Sequence, residues 1–248
     1  MALALAVTGC AGEREVLVHI PISRLELPEQ GPRMFDITVA ATGEAKATLT
    51  RDQANVPPDP NAPEFDDDND ALVRFDAAPH PFVTVSVKGT SGLGAGQVKL
   101  FPLMGRGGPF SLAFTAGYAG GDDDFDFYDG TTRARTDVNS HLRDFAGIVG
   151  FRVDRTLMFY GGPWLSKLNY DGHHFSDRGS NPDVEGDYRG EIEARGYNGG
   201  LAASFGGWGR MLIEYSHARL EGGNVRDDMG HGSLALEIFF GPKLAHPP

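Results

Sequence analysis

The sequence predicts an all-β fold, a closed antiparallel up-and-down transmembrane β-barrel of about ten strands. Three observations lead to this fold class: a hairpin of two long alternating strands, the recurrence of similar alternating segments, and a contrast between short turns and long polar connections. The hairpin occupies residues 142–170, with its turn at Asp154 and Arg155. Each arm has about ten residues, which is the length that a tilted strand needs to cross a bilayer.

Apolar side chains recur at every second position of this hairpin. In the first arm, Val149 and Phe151 fall on one face, and Gly150 and Arg152 fall on the other. Such alternation predicts strands with one apolar face. In a membrane barrel this face contacts lipid and the other lines the lumen, so the average composition stays polar. Short turns on one side and long loops on the other are typical of bacterial outer-membrane barrels.

Length, charge and hydropathy narrow the classes of protein that fit the chain. Its 248 residues suffice for one large all-β domain or two small ones. The mean hydropathy is −0.28 and no run of about 18 or more apolar residues occurs, so no membrane-spanning helix is predicted. The formal net charge of −12 argues against nucleic acid as a partner. A single cysteine, Cys10, excludes an intrachain disulfide.

Ten alternating segments are predicted to form strands. They lie at residues 35–50, 72–77, 82–88, 95–103, 109–119, 142–153, 157–170, 189–205, 208–220 and 233–240. The long loops between them are residues 51–70, 120–140, 171–187 and 221–231. All of these loops follow odd-numbered strands. This parity favours a single barrel that spans residues 35–241 and is followed by a tail at 242–248, with both chain ends at the short-turn side. Eight strands, with residues 11–79 as a separate cap, is the alternative.

Residues 1–10 form a short apolar run that ends in small residues. The last four, Val7 to Cys10, resemble the lipobox of bacterial lipoproteins, in which the cysteine carries a lipid and becomes the N-terminus. The resemblance implies an N-terminal lipid on Cys10, and the Ala11-Gly12 pair that follows implies the outer membrane. An ordinary secretory signal with a coincidental cysteine is the alternative.

Residues 11–34 form a predicted periplasmic tether. Pro21, Pro28 and Pro32 interrupt this segment, and proline lacks the amide donor that a central strand needs. We expect the tether to lie against the periplasmic rim of the barrel or to plug its lumen.

Residues 146–163 and 199–215 contain alternating strands interrupted by glycines and a tight turn. They resemble the small outer-membrane β-barrels of Gram-negative bacteria, the OmpA/OmpW-like group. The last strand, residues 234–240, is similar to the aromatic-ended signal by which such barrels are inserted, although residues 241–248 follow it. The resemblance implies an outer-membrane location with lipids as partners, and an architecture rather than an activity. Strand parity adds a periplasmic N-terminus and extracellular long loops.

Three charged residues are predicted to face the lumen. The alternation that turns apolar side chains outward turns Arg152, Glu214 and Glu237 inward. A barrel of eight to ten strands is narrow enough to be filled by side chains, and buried charges must pair. We therefore expect these three residues to form a network that closes the lumen. The alternative is a selective pore in which they form the filter.

Seven aspartates in two acidic runs are candidate calcium ligands. They are Asp66, Asp68, Asp70, Asp122, Asp124, Asp126 and Asp129. Hard carboxylate oxygens at alternate positions suit Ca²⁺. Neither run matches the complete calcium-loop pattern, and a solvated acidic loop at the cell surface is the alternative interpretation.

Two further clusters contain groups that occur in metal or catalytic sites. His173 and His174, next to loop aspartates, are a candidate transition-metal pair, with a polar loop tip as the alternative. Ser216 and His217 are adjacent in a strand, so their side chains point to opposite faces and do not form a nucleophile–base pair. The His-x-Ser-Asn signature of barrel lipases is also missing from this strand. We therefore expect no enzymatic activity.

The expected function is structural or interactive: a sealed barrel that presents acidic loops and contacts another envelope or surface protein. A narrow, porin-like channel for small solutes is the first alternative, and a barrel-embedded lipid hydrolase is a further one. A water-soluble periplasmic barrel would instead turn the apolar faces inward. Trp164 with Tyr160, or Trp208 with Tyr215, are predicted to mark the membrane interface.

Overall fold

The computed structural model describes residues 15–51, 59–90, 92–103, 109–128, 133–177 and 184–244. Within these residues it contains eleven antiparallel β-strands and no helix that is long and apolar enough to cross a membrane. The strands are β1 (Glu15–Pro21), β2 (Arg33–Arg51), β3 (Glu64–His80), β4 (Val83–Gly89), β5 (Gly94–Leu103), β6 (Phe110–Tyr128), β7 (Arg133–Arg152), β8 (Leu157–Asp177), β9 (Val184–Phe205), β10 (Gly209–Gly222) and β11 (Val225–Lys243). Cys10, Asp129 and residues 245–248 of the tail lie outside the described residues.

Strands β2 to β11 form a closed barrel in which neighbours along the chain are neighbours in the wall. The ring closes at β2, which pairs along one edge with β3 and along the other with β11. Pairing at this closing seam runs from Leu234 opposite Ala41 to Lys243 opposite Arg33. The predicted all-β, up-and-down barrel of ten strands is therefore confirmed. The eight-strand alternative is wrong, because β2 and β3 belong to the wall.

The connections define two rims. The lower rim carries the links after β3, β5, β7 and β9, and the upper rim carries the links after β2, β4, β6, β8 and β10. At the lower rim, Asp154 Oδ1 accepts hydrogen bonds from the backbone N–H groups of Thr156 at 2.6 Å and Leu157 at 2.8 Å, which closes a tight turn. Gly206, in the β9–β10 turn, has a φ of 67°, which glycine adopts without steric cost.

Several strands extend further towards the upper rim than the sequence predicts. Strands β6, β7, β8 and β9 contain 19, 20, 21 and 22 residues. Much of the predicted loops 51–70, 120–140 and 171–187 therefore belongs to strands, and loop 221–231 is reduced to a short turn at Gly223. These loop predictions are wrong, because ladder hydrogen bonds come from the backbone and persist where the outward side chains are acidic.

Exposure alternates along the wall strands, with apolar side chains outward and polar side chains inward in the lower half. Val149, Phe151, Ile213 and Ile238 are 58%, 44%, 50% and 44% exposed. Glu214, one position after Ile213, is buried. A water-soluble barrel would have these four apolar residues in its core. The lower half of this barrel therefore has the opposite arrangement.

Residues 15–32, which we call the luminal segment, run through the inside of the barrel. Strand β1 pairs with the upper half of β2, from Glu15 opposite Arg51 to Pro21 opposite Glu44. The segment therefore enters at the upper rim and runs antiparallel to β2. The predicted tether was expected either against the rim of the barrel or inside its lumen. Its described residues lie in the lumen.

The luminal segment leaves the barrel at the lower rim. Gln30 Nε2 donates to the backbone oxygens of His80 and Val83, both at 2.9 Å, beside the β3–β4 turn. The chain then turns into β2 at Arg33. The prediction that both chain ends lie at the short-turn side leaves out this pass through the lumen. With the pass included, Glu15 lies at the upper rim.

Candidate functional site: the charged lumen

The lumen has an apolar upper layer and a charged lower layer. In the upper layer, side chains of β1 and β2 pack against inward residues of the long strands β7 to β10. Buried apolar residues of this layer are Val18, Ile20, Ile22, Ala45, Ala47, Leu49, Val138, Leu142, Leu168, Ile192 and Leu220. The upper lumen is thus packed mainly with apolar side chains, as in the core of a water-soluble protein, and its buried Glu44 is paired with His19 at 3.0 Å.

The lower layer contains ionisable side chains that are almost completely buried. Those exposed by 6% or less are Arg24, Glu26, Asp36, Arg74, Asp76, Lys99, Asp144, Arg210, Glu214 and Glu237. Charges in a low-dielectric interior are tolerated when they are paired and hydrogen-bonded. Their contacts therefore determine how the lower lumen is closed.

Arg24 of the luminal segment binds one side of the lower lumen. Its guanidinium group donates a short hydrogen bond to Asp144 of β7, and its Nη2 atom lies 2.7 Å from Ser166 Oγ of β8. The same group lies over the ring of Trp164, 4.0 Å from the ring centroid. Arg24 thus joins the luminal segment to β7 and β8.

Glu26, two residues further on, binds the opposite side. Lys99 Nζ lies 2.5 Å from Glu26 Oε2, Arg74 Nη1 lies 3.6 Å from Oε1, and Lys88 Nζ lies 4.0 Å from Oε1. Arg74 is shared, because its Nε atom also lies 3.0 Å from Asp76 Oδ2. Glu26 is therefore surrounded by cations of β3, β4 and β5.

Glu214 of β10 holds the backbone of the luminal segment between these two contacts. Its carboxylate accepts hydrogen bonds from the N–H groups of Arg24 at 2.7 Å and Leu25 at 3.0 Å. Asn198 Nδ2 and Ser216 Oγ donate to it at 2.8 and 3.0 Å. The segment is therefore bound to the wall through its main chain as well as through its side chains.

The wall side chains that contact the luminal segment carry opposite charges on the two sides of the lower lumen. Strands β3, β4 and β5 supply Arg74, Lys88 and Lys99, which we call the basic wall. Strands β7 and β10 supply Asp144 and Glu214, which we call the acidic wall. The luminal segment matches this separation, because its arginine contacts the acidic wall and its glutamate contacts the basic wall. The lumen is thus complementary in charge to the segment that fills it.

The three residues predicted to form one luminal network lie in separate contacts. Glu214 binds the luminal segment, and Glu237 Oε2 lies 2.7 Å from Arg210 Nε. Arg152 lies at the lower rim, where its Nε atom is 3.3 Å from Glu29 Oε1. Arg210 was missed by the sequence analysis, although it lies on the same face of its strand as Glu214 and alternation alone identifies it as inward. No sequence signal indicated Glu29 as a partner.

The candidate calcium ligands that the structure describes lie on strands. Asp66, Asp68 and Asp70 are in β3, and Asp122, Asp124 and Asp126 are in β6; all are exposed or partly exposed. Asp68 pairs with Lys46 of β2. Among the described residues, one group of three carboxylates is spaced closely enough to hold a metal ion. It consists of Asp36, Asp76 and Glu237 in the lower lumen, with oxygens within 4.8 Å of one another. Calcium binding by the acidic runs stays a prediction.

The two adjacent histidines point to opposite sides of β8. His173 is outward, with Nδ1 2.8 Å from Asp187 Oδ1 and Nε2 3.4 Å from Glu185 Oε1. His174 is buried, and its Nδ1 atom lies 2.7 Å from Thr136 Oγ1. In a strand, successive side chains alternate, so the two rings do not meet at one metal. The loop conformation assumed for them is wrong, because these residues pair with β7 and β9.

Ser216 and His217 also lie on opposite faces, as the alternation predicts. Ser216 is buried beside Glu214, whereas His217 is on the outer face and stacks on Tyr197 with ring centroids 5.2 Å apart. Two aromatic pairs were predicted to mark the membrane interface. Trp208 and Tyr215 are exposed, whereas Trp164 and Tyr160 are buried in the lumen. The interface interpretation therefore fits the outward pair alone.

Comparison with known proteins gives distant similarities. No family model matches the chain, and no curated protein matches it. The unliganded ferric citrate transporter FecA is 9% identical, with a TM-score of 0.36 over 86% of this chain and 43% of FecA. A bacterial polysaccharide outer membrane secretin is 8% identical, with a TM-score of 0.27 over 86% of this chain and 100% of the secretin chain. At these scores neither similarity defines the topology or the function of this chain.

Proposed function

We propose that this protein is a bacterial outer-membrane β-barrel whose lumen is sealed by its own luminal segment and whose role is structural or interactive. The observation that carries the proposal is a belt of outward apolar side chains around the lower half of the barrel. The belt includes Ile37, Val39, Val73, Phe75, Val85, Val87, Val98, Leu100, Phe114, Tyr118, Phe145, Val149, Phe151, Phe159, Ile213, Tyr215, Leu234, Leu236 and Ile238. An apolar surface that encircles the molecule exceeds the patches that soluble proteins expose, and it suits lipid hydrocarbon.

The upper half of the barrel, which we call the collar, has a polar outer surface. On β7, Arg135, Asn139 and Arg143 face outward above Phe145 and Val149. Because each long strand has about twice the ten residues that cross a bilayer, its upper half extends beyond the belt. The collar therefore projects into water in this proposal.

Ion pairs cross between neighbouring strands of the collar. Lys167 Nζ lies 3.0 Å from Glu193 Oε2, and Arg195 Nη2 lies 2.7 Å from Glu221 Oε1. Exposed pairs of this kind contribute little to stability. They do provide a patterned charged surface, and we propose that the collar contacts another envelope or surface protein.

We orient the barrel by its connections. Bacterial outer-membrane barrels have short turns in the periplasm and extend further at the cell surface. The connections below the belt are short turns, whereas the long strand ends of the collar lie above it, so we assign the lower rim to the periplasm and the collar to the outside. In this orientation Glu15, at the upper rim, lies on the outer side, which differs from the predicted periplasmic N-terminus. A lipid on Cys10 and calcium at the acidic strand ends remain predictions within this proposal. Fatty-acid labelling of Cys10 and calcium titration test them.

A narrow channel is the second candidate function. The opposite charges of the acidic and basic walls favour it, because charged side chains that line a lumen select the ions that pass. Conduction would require the luminal segment to leave the lumen, since its side chains occupy the space between the walls. The sealed form is the better supported one, because Arg24, Glu26 and two backbone N–H groups all bind the walls.

The two tryptophans of the chain test the membrane location. Trp208 is outward and 59% exposed, whereas Trp164 is inward and 4% exposed. In vesicles that contain brominated phospholipids, we expect bromine to quench the fluorescence of the Trp164→Phe variant, which retains Trp208. The Trp208→Phe variant should retain its emission, because its remaining indole faces the lumen. Equal quenching of both variants, or release of the protein from membranes by salt alone, would exclude the outer-membrane barrel.

A further inference from the structure

A cavity of about 220 Å³ lies at the lower rim, below the charged layer of the lumen. The end of the luminal segment and the β7–β8 and β9–β10 turns form its walls. Its lining includes three arginines, Arg152, Arg155 and Arg210, and one carboxylate, Glu29. The lining therefore has an excess of two positive charges, in a chain whose formal net charge is −12. The sign of this excess is opposite to that of the net charge of the chain, although Glu237, outside the lining, pairs with Arg210.

Arg210 is the buried arginine of the cavity. The residue is 4% exposed, and its Nε atom donates to Glu237 Oε2 at 2.7 Å. Its guanidinium carbon lies 5.1 Å from the centroid of the Phe239 ring, which also lines the cavity. Its two Nη groups make no hydrogen bond to the described part of the chain. The Nη groups of an arginine that lines a cavity are donors that a bound anion can use.

Arg155 adds a second unused guanidinium group at the cavity mouth. It is exposed in the β7–β8 turn, and its side chain forms no ion pair with the residues that the structure describes. Its backbone oxygen accepts a hydrogen bond from Arg152 Nη1 at 3.5 Å, so the Arg152 side chain lies against the backbone of this turn.

Arg152 shows which chemistry suits the cavity, because it already holds a carboxylate. Its Nε atom is 3.3 Å from Glu29 Oε1, and its Nη2 atom contacts Glu29 Oε2 more closely. This is the two-point contact by which the planar guanidinium group recognises carboxylate and phosphate groups. Arg155 has no carboxylate partner among the described residues, and Arg210 contacts Glu237 through its Nε atom alone.

We propose that this cavity binds a small oxyanion, the phosphate or carboxylate group of a solute, through Arg155 and Arg210, beside the Arg152–Glu29 pair. A water molecule takes about 30 Å³ in the liquid, so the cavity has room for an anion of phosphate size with bound water. The proposal does not depend on the sealing role of the luminal segment. Only the compartment from which the anion arrives, the periplasm, follows from the orientation proposed above.

Calorimetric titration of the detergent-solubilised full chain tests the site. The probes are inorganic phosphate and acetate, each at constant ionic strength set with chloride. We expect heat of binding for at least one of them, and the one that binds identifies the group that the site prefers. We expect Arg155→Gln and Arg210→Gln to weaken this binding by about tenfold or more, which is the loss of one charge-assisted contact. Glu29→Gln should strengthen it, because the competing carboxylate is removed.

Arg33→Gln is the matched control. Arg33 lies at the same rim and its side chain is not part of the lining: Nη1 is 2.7 Å from the Gly241 carbonyl oxygen and Nε is 3.4 Å from that of Gly207. The change therefore removes the same charge from beside the cavity and leaves the three lining arginines in place. Binding should be unchanged in this variant, and heat-modifiable gel migration shows that each variant is folded. An equal loss in Arg33→Gln and Arg155→Gln, or no binding of either probe by the unmodified chain, would overturn the proposal. Neither result depends on whether the protein resides in a membrane.

Discussion

At the scale of single residues, Glu214 shows how a buried carboxylate is held without an arginine. Its oxygens accept hydrogen bonds from two backbone N–H groups and from the side chains of Asn198 and Ser216. One of those backbone groups belongs to Leu25, whose φ of 49° is rare for a residue other than glycine. The hydrogen bonds therefore also hold a strained turn of the luminal segment in place.

Removal of this acceptor should be costly. We expect Glu214→Ala to lower the free energy of unfolding by about 2–4 kcal/mol, because two buried backbone donors lose their partner. Urea unfolding in detergent micelles measures the change. The control is Glu193→Ala, which removes one partner of the exposed pair with Lys167 and should cost at most about 1 kcal/mol. Similar losses in both variants would show that the luminal segment is not held by Glu214.

His173 gives a prediction for the collar. The hydrogen bond from the outward ring to Asp187 raises the pKa of His173 above its usual value, and the charges of Asp187, Glu185 and Asp137 act in the same direction. The charged pair is complete at a pH below the unfolded-state pKa of about 6.5. Its contribution is lost as the pH rises through the higher pKa of the folded state.

NMR titration of the histidine ring protons measures this pKa. We expect Asp187→Asn to shift the pKa of His173 downward, because the hydrogen-bonded carboxylate is the main cause of its increase. Asp171→Asn removes another collar aspartate that does not contact the ring, and it should leave the titration unchanged. The assignment of the pair would be wrong if the two substitutions had equal effects.

Sequence alternation predicts which side a side chain faces, but it does not predict its partner. The inward positions of Glu214 and Glu237 follow from the two-residue period of the strands. Their partners do not, because Arg210 lies on a neighbouring strand whose register is set by the whole ring. The partners of Glu214 include main-chain groups of the luminal segment, which have no side-chain signature in the sequence.

At the scale of elements, the luminal segment is bound by charges of opposite sign on its two sides. We expect the paired exchange of Arg24→Glu with Glu26→Arg to release it, because each new charge then meets a wall of its own sign. Planar-bilayer recording detects the result: the unmodified protein should be silent, and the exchanged variant should show conductance steps.

A second exchange controls for the change in composition. Lys167→Glu with Glu193→Lys exchanges an exposed collar pair and preserves its attraction, so this variant should stay silent. If the Arg24 and Glu26 variant were also silent while its heat-modifiable migration was unchanged, packing of β1 rather than charge would hold the segment. Conductance of the unmodified protein would favour the channel over the sealed barrel.

The lower halves of the strands could be predicted from the sequence, and the upper halves could not. In the lower half, the outward face of each strand belongs to the apolar belt and the inward face lines the charged lumen, so apolar and polar residues alternate in the sequence. In the upper half of β6, outward positions hold Asp122, Asp124 and Asp126, and apolar alternation is lost although the backbone ladder continues. For β1, alternation of Val16, Val18 and Ile20 was visible, but three nearby prolines concealed that it pairs with β2.

At the scale of the whole molecule, the barrel combines two kinds of protein interior. The collar is filled by apolar side chains and has a polar outer surface, as in a water-soluble domain. The lower half has the reverse arrangement, with charges inside and an apolar belt outside. One continuous set of strands therefore suits water along its upper half and lipid along its lower half. For this reason the average composition of the chain indicates neither a water-soluble nor a membrane protein.

The passage of the luminal segment through the ring has a consequence for biogenesis. A polypeptide with several charges would have to be drawn lengthwise through a finished cylinder if the cylinder formed first, and each charge would lose its hydration before it met its partner. We therefore expect assembly to start with this segment in place against β2, and the remaining strands to wrap around it until β11 reaches the free edge. The order of synthesis agrees with this sequence of events, since the segment is made before every strand that encloses it.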